Sequence, residues 1–247
     1  MRVQNNPAGR LHDILSEARQ QSPKDPARKA WAAVFGVAPE DTGSLLKMLA
    51  DLIDLAHDTK AAIQRLDDVD HRLHLKPFKK IEALLSQLNL DAGWEHWRSQ
   101  IDDTTLYGLQ FSADKLSRMS GLTEIPNDDL IDLRSQLDSL IAAAADADLT
   151  PELKLLVLRH LERLRHALIA YRVRGLDGLQ EELEIIAGSV VLHARAVRSS
   201  ADRPEESKIW TAFFALANRL NTVVSLARNS KELLAPAMQA LTQIIGP

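Results

Sequence analysis

The sequence predicts an all-α protein, a multi-helix bundle of long antiparallel amphipathic helices, and three observations carry that expectation. Apolar residues recur alternately three and four positions apart over long stretches, which keeps them on one face of a helix. Hydrophobic residues make up 45% of the chain but aromatics only 4%, and the apolar content is mostly Leu and Ala, which favour helix over strand. Ten Gly in 247 residues are too few for a fold built from many tight turns.

Taken in order, the first elements are short. Helices are expected at Leu11 to Gln21 and, after an Asp25 cap, at Pro26 to Phe35. Leu45, Leu49, Leu52, Ala56, Thr59, Ile63 and Leu66 then hold the alternating spacing, with Thr59 the one polar member, so a long helix is assigned there. A further short helix is expected at Lys76 to Leu88. Between Trp94 and Met119, Leu106, Leu109, Ala113 and Leu116 keep helical spacing, although Thr104 to Phe111 has enough β-prone residues to form a loop or a short strand.

The second half reads more regularly. Leu130, Leu133, Leu137, Leu140 and Ala144 mark a helix whose start is favoured electrostatically by Asp128 and Asp129. Thr150-Pro151-Glu152 supplies a capping hydroxyl and a proline for the first turn of the next helix, which runs to about Arg174 before Gly175 stops it. On a helical wheel this segment is apolar on two sectors. Leu153, Leu164, Leu168 and Tyr171 lie on one, and Leu155, Leu158, Ile169 and Val173 on another, which predicts a central helix covered on two sides.

Asp177 with Gln180 three positions on then reads as a capping box, followed by a stripe of Leu176, Leu179, Leu183, Ile186, Val190, His193 and Val197. After Asp202-Arg203-Pro204, the residues Ile209, Phe213, Leu216, Leu220, Val223 and Ala227 mark another helix. Connections of a few residues favour antiparallel neighbours over an extended coiled coil. Breakers at Gln20 to Pro26 and at Gly121 to Asn127 suggest an N-terminal helical region at 1–122 and a C-terminal bundle at 123–247, unless the chain forms one domain. There is no low-complexity tract and no clean repeat.

Composition excludes several classes of chemistry. The absence of Cys removes disulfides, thiolate metal sites and cysteine nucleophiles, and it fits a reducing cytoplasm. The N-terminal residues lack the apolar stretch of a secretory signal, and no run approaches the roughly 18 apolar residues of a membrane span. A net charge of -4 gives no global attraction to nucleic acid or anionic lipid, so neither is an expected partner. No Gly-rich phosphate loop and no Gly-x-Ser-x-Gly occurs, and no cofactor is called for.

Four local clusters still offer chemistry. Asp67-Asp68-Val69-Asp70-His71-Arg72-Leu73-His74 gathers carboxylates with two His three apart, the ligand types of a metal-dependent hydrolase; the competing reading is a solvated helix end, and no metal residue is assigned. Arg159, Arg163 and His166 share one outward sector, where a helical nuclease or RNA-binding effector would contact phosphate. His193 replaces an apolar residue in its seam, as a hydrogen-bonded core His does. Trp94 and Trp97, flanking Glu95-His96, fit either core anchors or a pocket wall.

Two resemblances to helical families rest on short motifs. His12-Asp13 and His57-Asp58 resemble the ligand pair of the helical metal-dependent phosphohydrolases, which implies further ligands among His71, His74, Asp102 and Asp103; their order does not follow that family. The spacings from Arg65 to His71 and from Arg159-His160 to His166 are similar to the motif of the nucleotide-binding helical ribonuclease toxins. A chain with 8 His and many Arg produces such pairs by chance.

With no catalytic set, the sequence favours a non-catalytic helical interaction protein, such as an adaptor, immunity or antitoxin-like protein. Its partner is expected to be another protein, or the chain itself as a homodimer. The expected docking face is the uncharged C-terminal segment, where Leu234, Met238, Leu241 and Ile245 keep the three-and-four spacing.

Overall fold

Helices α1 (Pro7–Gln20), α2 (Ala27–Phe35), α3 (Thr42–Gln64), α4 (His71–Leu75), α5 (Phe78–Leu85), α6 (Trp94–Arg98) and α7 (Asp103–Ser117) are followed by α8 (Asn127–Asp146), α9 (Pro151–Ile169), α10 (Tyr171–Leu192) and α11 (Pro204–Ala227). This computed structural model describes residues 6–67, 69–87, 89–118, 125–193 and 203–228. Among the described residues the fold is all-α with no strand, and the one isolated bridge pairs Pro26 with Gly93. The chain divides into two compact units, one of residues up to 122 with Arg172–Gly175, the other of 123–171 with 176 onward.

In the first unit α1 is the hub, touching α2, α3 and α7. Asn6 caps it by accepting from the Gly9 amide at 3.0 Å, and Ala8, Leu11, Ile14, Leu15 and Ala18 are buried. The α3 seam is largely as the spacing predicts, with Leu45, Leu52, Ala56, Thr59, Ile63 and Leu66 buried; the Thr59 hydroxyl donates to the Leu55 carbonyl at 2.6 Å, which removes the cost of its burial. Trp31, Trp94 and Trp97 form one buried aromatic cluster, with Trp31 edge-on to Trp94 at 5.1 Å. The Glu95-His96 segment is therefore anchored by core Trp, not by pocket walls alone.

Arg172–Gly175, which belong to this unit, are held through Arg10. The buried guanidinium donates to the Val173 carbonyl at 3.1 Å, and a Cβ at Gly175 (φ +63) would lie 2.6 Å from Nη1 of the same Arg10. Glycine is thus favoured by the left-handed backbone, and a side chain there would also displace the Arg10 guanidinium.

Several helix boundaries differ from the expected ones, each for a local reason. The predicted helix to Arg174 is interrupted at Ala170 after Ile169; the chain is helical again from Tyr171, and Gly175, with non-helical φ and ψ, breaks it where the sequence places the stop. Thr150 does not cap α9 with its hydroxyl; the buried Glu206 carboxylate of α11 accepts from the Thr150 amide at 2.8 Å instead. The Asp177/Gln180 capping box does not form, since Asp177 pairs with Arg228 and Gln180 donates to Glu184. Asp25 caps no helix by its side chain and pairs with Lys29. The helix expected over Lys76 to Leu88 is the shorter α5, which starts after Pro77, and a short helix not expected from the sequence, α4, precedes Lys76. Thr104 to Phe111, where helical spacing competes with β-prone composition, lies inside α7, nucleated by Asp102, which accepts from the Thr105 amide at 2.9 Å.

In the second unit α9 touches α8 and α11 and bonds to α10 through side chains. Its buried residues, Leu153, Leu156, Val157, His160, Leu161, Leu164, Ala167 and Leu168, form one broad face. The two-sided covering expected for this helix is not found, for Leu155 is 68% exposed and Leu158 and Ile169 are half-buried. The α8 and α11 seams are buried as predicted at Leu133, Leu137, Leu140, Ala144, Ile209, Phe213, Leu216, Leu220 and Ala227.

His160 sits within this face, 2% exposed, with Nε2 2.8 Å from the Ser189 hydroxyl. Burial, with Arg159, Arg163 and His193 adding repulsion, lowers its pKa from 6.5 to about 4. Above pH 6.5 the ring is neutral folded or unfolded and stability is unaffected. As pH falls from 6.5 towards 4 the unfolded chain binds a proton that the folded chain refuses, so stability drops until about pH 4 and then levels. Urea midpoints across this window should fall less steeply for His160→Asn than for wild type; parallel curves would contradict the assignment.

Candidate functional site

A concavity lies in the first unit, where α4, the Lys76-Pro77 junction and α7 meet. Asp70 starts α4 by accepting from the Arg72 amide at 3.0 Å, and Pro77, having no amide hydrogen, breaks the helical ladder so that the chain turns into α5. Gly108 of α7 lies against this turn: a Cβ there would collide with Cγ of Pro77. Across the same contact His74 Nδ1 is 2.9 Å from the Ser112 hydroxyl, which also donates to the Gly108 carbonyl at 3.0 Å. Since a hydroxyl has one proton, Ser112 accepts from His74, whose Nδ1 is the protonated nitrogen.

The groove so framed has a volume of about 640 Å³ and is lined by Leu73, His74, Lys76, Pro77, Tyr107, Phe111 and neighbours on α7. Leu73, Tyr107 and Phe111 are 64%, 60% and 69% exposed. The two aromatics are exposed because α7 spends its other face on the core, through Thr105, Leu109, Ser112 and Ala113. A second cleft, about 170 Å³, is lined by Leu46, Leu49, Ala50, Ile53, Leu85, Leu90 and Trp97 and holds no charged side chain.

Because Gly108 makes the closest approach in this frame, Gly108→Ala should push Pro77 and α4 away from α7. The expected cost is about 1 to 3 kcal/mol, the usual penalty of overpacking, despite the better helix propensity of Ala. A denaturation midpoint equal to or above that of wild type would refute the contact.

The sequence-derived candidates are placed as follows. His71 and His74 face different partners, the Leu66 carbonyl at 3.1 Å and Ser112, and Asp70 serves as a cap. Asp102 is the cap of α7; burial opposes its ionisation, but hydrogen bonds from Lys80 and Thr105 outweigh this and bring its pKa down to about 2. His12 bonds to its neighbour Asp13 at 2.9 Å, and His57 and Asp58 are exposed on α3. Among the described residues no group of three or more His, Asp and Glu is arranged to hold a metal ion.

Arg159 is exposed and His166 half-buried, while Arg163 forks onto both oxygens of Glu182 at 2.8 and 3.2 Å. Glu182 is buried, so this guanidinium neutralises a core carboxylate. His193 donates from Nδ1 to the Ser189 carbonyl at 2.8 Å, as a hydrogen-bonded seam His does. Leu234, Met238, Leu241 and Ile245 lie outside the described residues.

Tyr107 and Phe111 were not among the sequence-derived candidates, although a signal for them existed. Once Asp103 to Ser117 is helical, the seam Leu106, Leu109, Ala113 and Leu116 leaves two aromatics, four apart, on another side. Among the described residues no helix is long and apolar enough to cross a membrane. No protein-family model matches the chain, and neither the curated proteins nor the solved structures yield a match.

Proposed function

We propose that this chain is a non-catalytic helical protein-binding module, and that the groove between α4 and α7 is where its protein partner docks. One observation carries the reading: Leu73, Tyr107 and Phe111, each more than half exposed, line a single concavity. Lone exposed apolar residues are ordinary, but large ones gathered around a groove are characteristic of recognition surfaces. Aromatic anchors in such settings carry most of the binding energy. A phosphate or RNA role for Arg159, Arg163 and His166 draws less support, because the Arg163 fork is spent on Glu182.

The experiment is site-specific photo-crosslinking in the native host, with the photoreactive side chain at Tyr107, at Phe111 and, as a control, at the exposed Leu155. The expected result is a discrete protein adduct from Tyr107 and Phe111 but not from Leu155. An adduct of twice the chain's mass identifies the partner as a second copy. Equal labelling at all three positions, or none, would reject the reading.

A further inference from the structure

The rim of this groove carries an excess of positive charge. Lys76 lies at the junction of α4 and α5, and Lys115 and Arg118 lie at the end of α7, against a single lining carboxylate, Asp114. Asp114 is engaged by Arg118 at 2.7 Å. Among the described residues Lys76 and Lys115 make no ion pair. The position of Lys115 and Arg118 in the last turn of α7 explains how these charges are tolerated, since the carboxyl-terminal end of a helix favours cations. Three cations and one anion therefore surround an apolar floor in a chain whose overall charge is -4, so the rim is opposite in sign to the molecule that carries it.

Resting on the docking reading above, we infer that the groove takes an acidic amphipathic segment of a partner protein. Its apolar side chains, spaced three and four apart, lie on Leu73, Pro77, Tyr107 and Phe111, and its Asp or Glu residues face Lys76 and Lys115. Two arguments favour such a peptide over a polynucleotide. The floor includes the aliphatic Leu73 and Pro77 beside the two aromatics, whereas base stacking uses flat aromatic platforms. Polynucleotide binding also draws on a track of many phosphate contacts, which two unpaired lysines on a net acidic chain do not supply. A short acidic segment meets the rim alone and gains both the apolar contact and the local charge complementarity.

The test uses the full chain and three labelled 16-residue peptides sharing one helical pattern of Leu and Phe, with Glu, Gln or Lys at the remaining positions. Their binding is read by fluorescence anisotropy at low and at physiological salt, beside an oligouridylate of the same label. The Glu peptide should bind about ten-fold more tightly than the Lys peptide, and the gap should narrow with salt. The order should reverse in Lys76→Glu/Lys115→Glu, and Phe111→Ser should abolish binding of either. If all three peptides bind alike and lose binding in Phe111→Ser, the acidic occupant is wrong while the docking groove stands. If no peptide binds, or Phe111→Ser changes nothing, both readings fall. Oligouridylate binding that depends on Phe111 would replace the peptide with a nucleic acid.

Discussion

Trp94→Ala should be among the most destabilising single substitutions in the first unit, at about 3 to 5 kcal/mol. The indole is fully buried, stacks on Trp97 at 6.0 Å and meets Trp31 edge-on. Its Nε1 donates to the Ala18 carbonyl at 3.0 Å, tying α6 to the end of α1. Truncation therefore opens a cavity, removes two aromatic contacts and breaks the indole bond to the Ala18 carbonyl, which keeps only the Gln21 amide at 3.1 Å. The backbone around it is equally committed: Trp94 and Ala27 amides donate to the Asp25 and Ala92 carbonyls, each at 2.8 Å. Urea denaturation followed by near-ultraviolet circular dichroism measures the effect, and a loss under about 1 kcal/mol would mean that the cluster is not the core described here.

In the second unit, Leu164→Ala and Leu168→Ala should each cost about 2 to 5 kcal/mol, since both lie on the buried face of α9. Leu155→Ala on the same helix is the control and should stay within about 0.5 kcal/mol, being largely exposed. Arg163→Ala falls between them. By sequence it stands on an outward sector and invites the expectation of a silent change, but it is the partner of the buried Glu182. Removing it takes the charge-neutralising fork from that buried carboxylate, at about 1 to 3 kcal/mol, and the added change Glu182→Gln should recover part of the loss. Denaturation midpoints that fail to order the four variants in this way would contradict the one-faced packing of α9.

What the sequence conveyed was periodicity. The seams of α3, α8 and α11 were legible because each helix buries one stripe, and an apolar stripe is written directly in residue spacing. Helix ends were less legible, since capping depends on tertiary partners. Thr150 sits where a capping hydroxyl would be, yet Glu206, 56 residues away, meets its amide. The β-prone composition of Thr104 to Phe111 likewise yielded to tertiary context, for Asp102 starts the helix and Leu109 and Ala113 bury one side of it.

The groove was hidden for a related reason. Its floor exists because Gly108 lets Pro77 approach α7, a contact between positions 31 residues apart that no local pattern announces. The Asp67 to His74 segment offers ligand types for a metal, and its Leu73 and His74 do line the groove, as floor and frame. His160 was read only through its spacing to His166; the structure gives it a buried seat against Ser189.

The most direct measurement of the docking claim joins stability and association in one variant. Tyr107→Ser/Phe111→Ser is compared with the wild-type chain for melting temperature, and for the adduct captured in the host by a photoreactive side chain at Leu73. Side chains this exposed contribute little to folding, so the double variant should keep its stability within about 1 kcal/mol while the protein adduct disappears. A marked fall in melting temperature, placing both rings in the core, or an adduct that persists undiminished, would contradict the account.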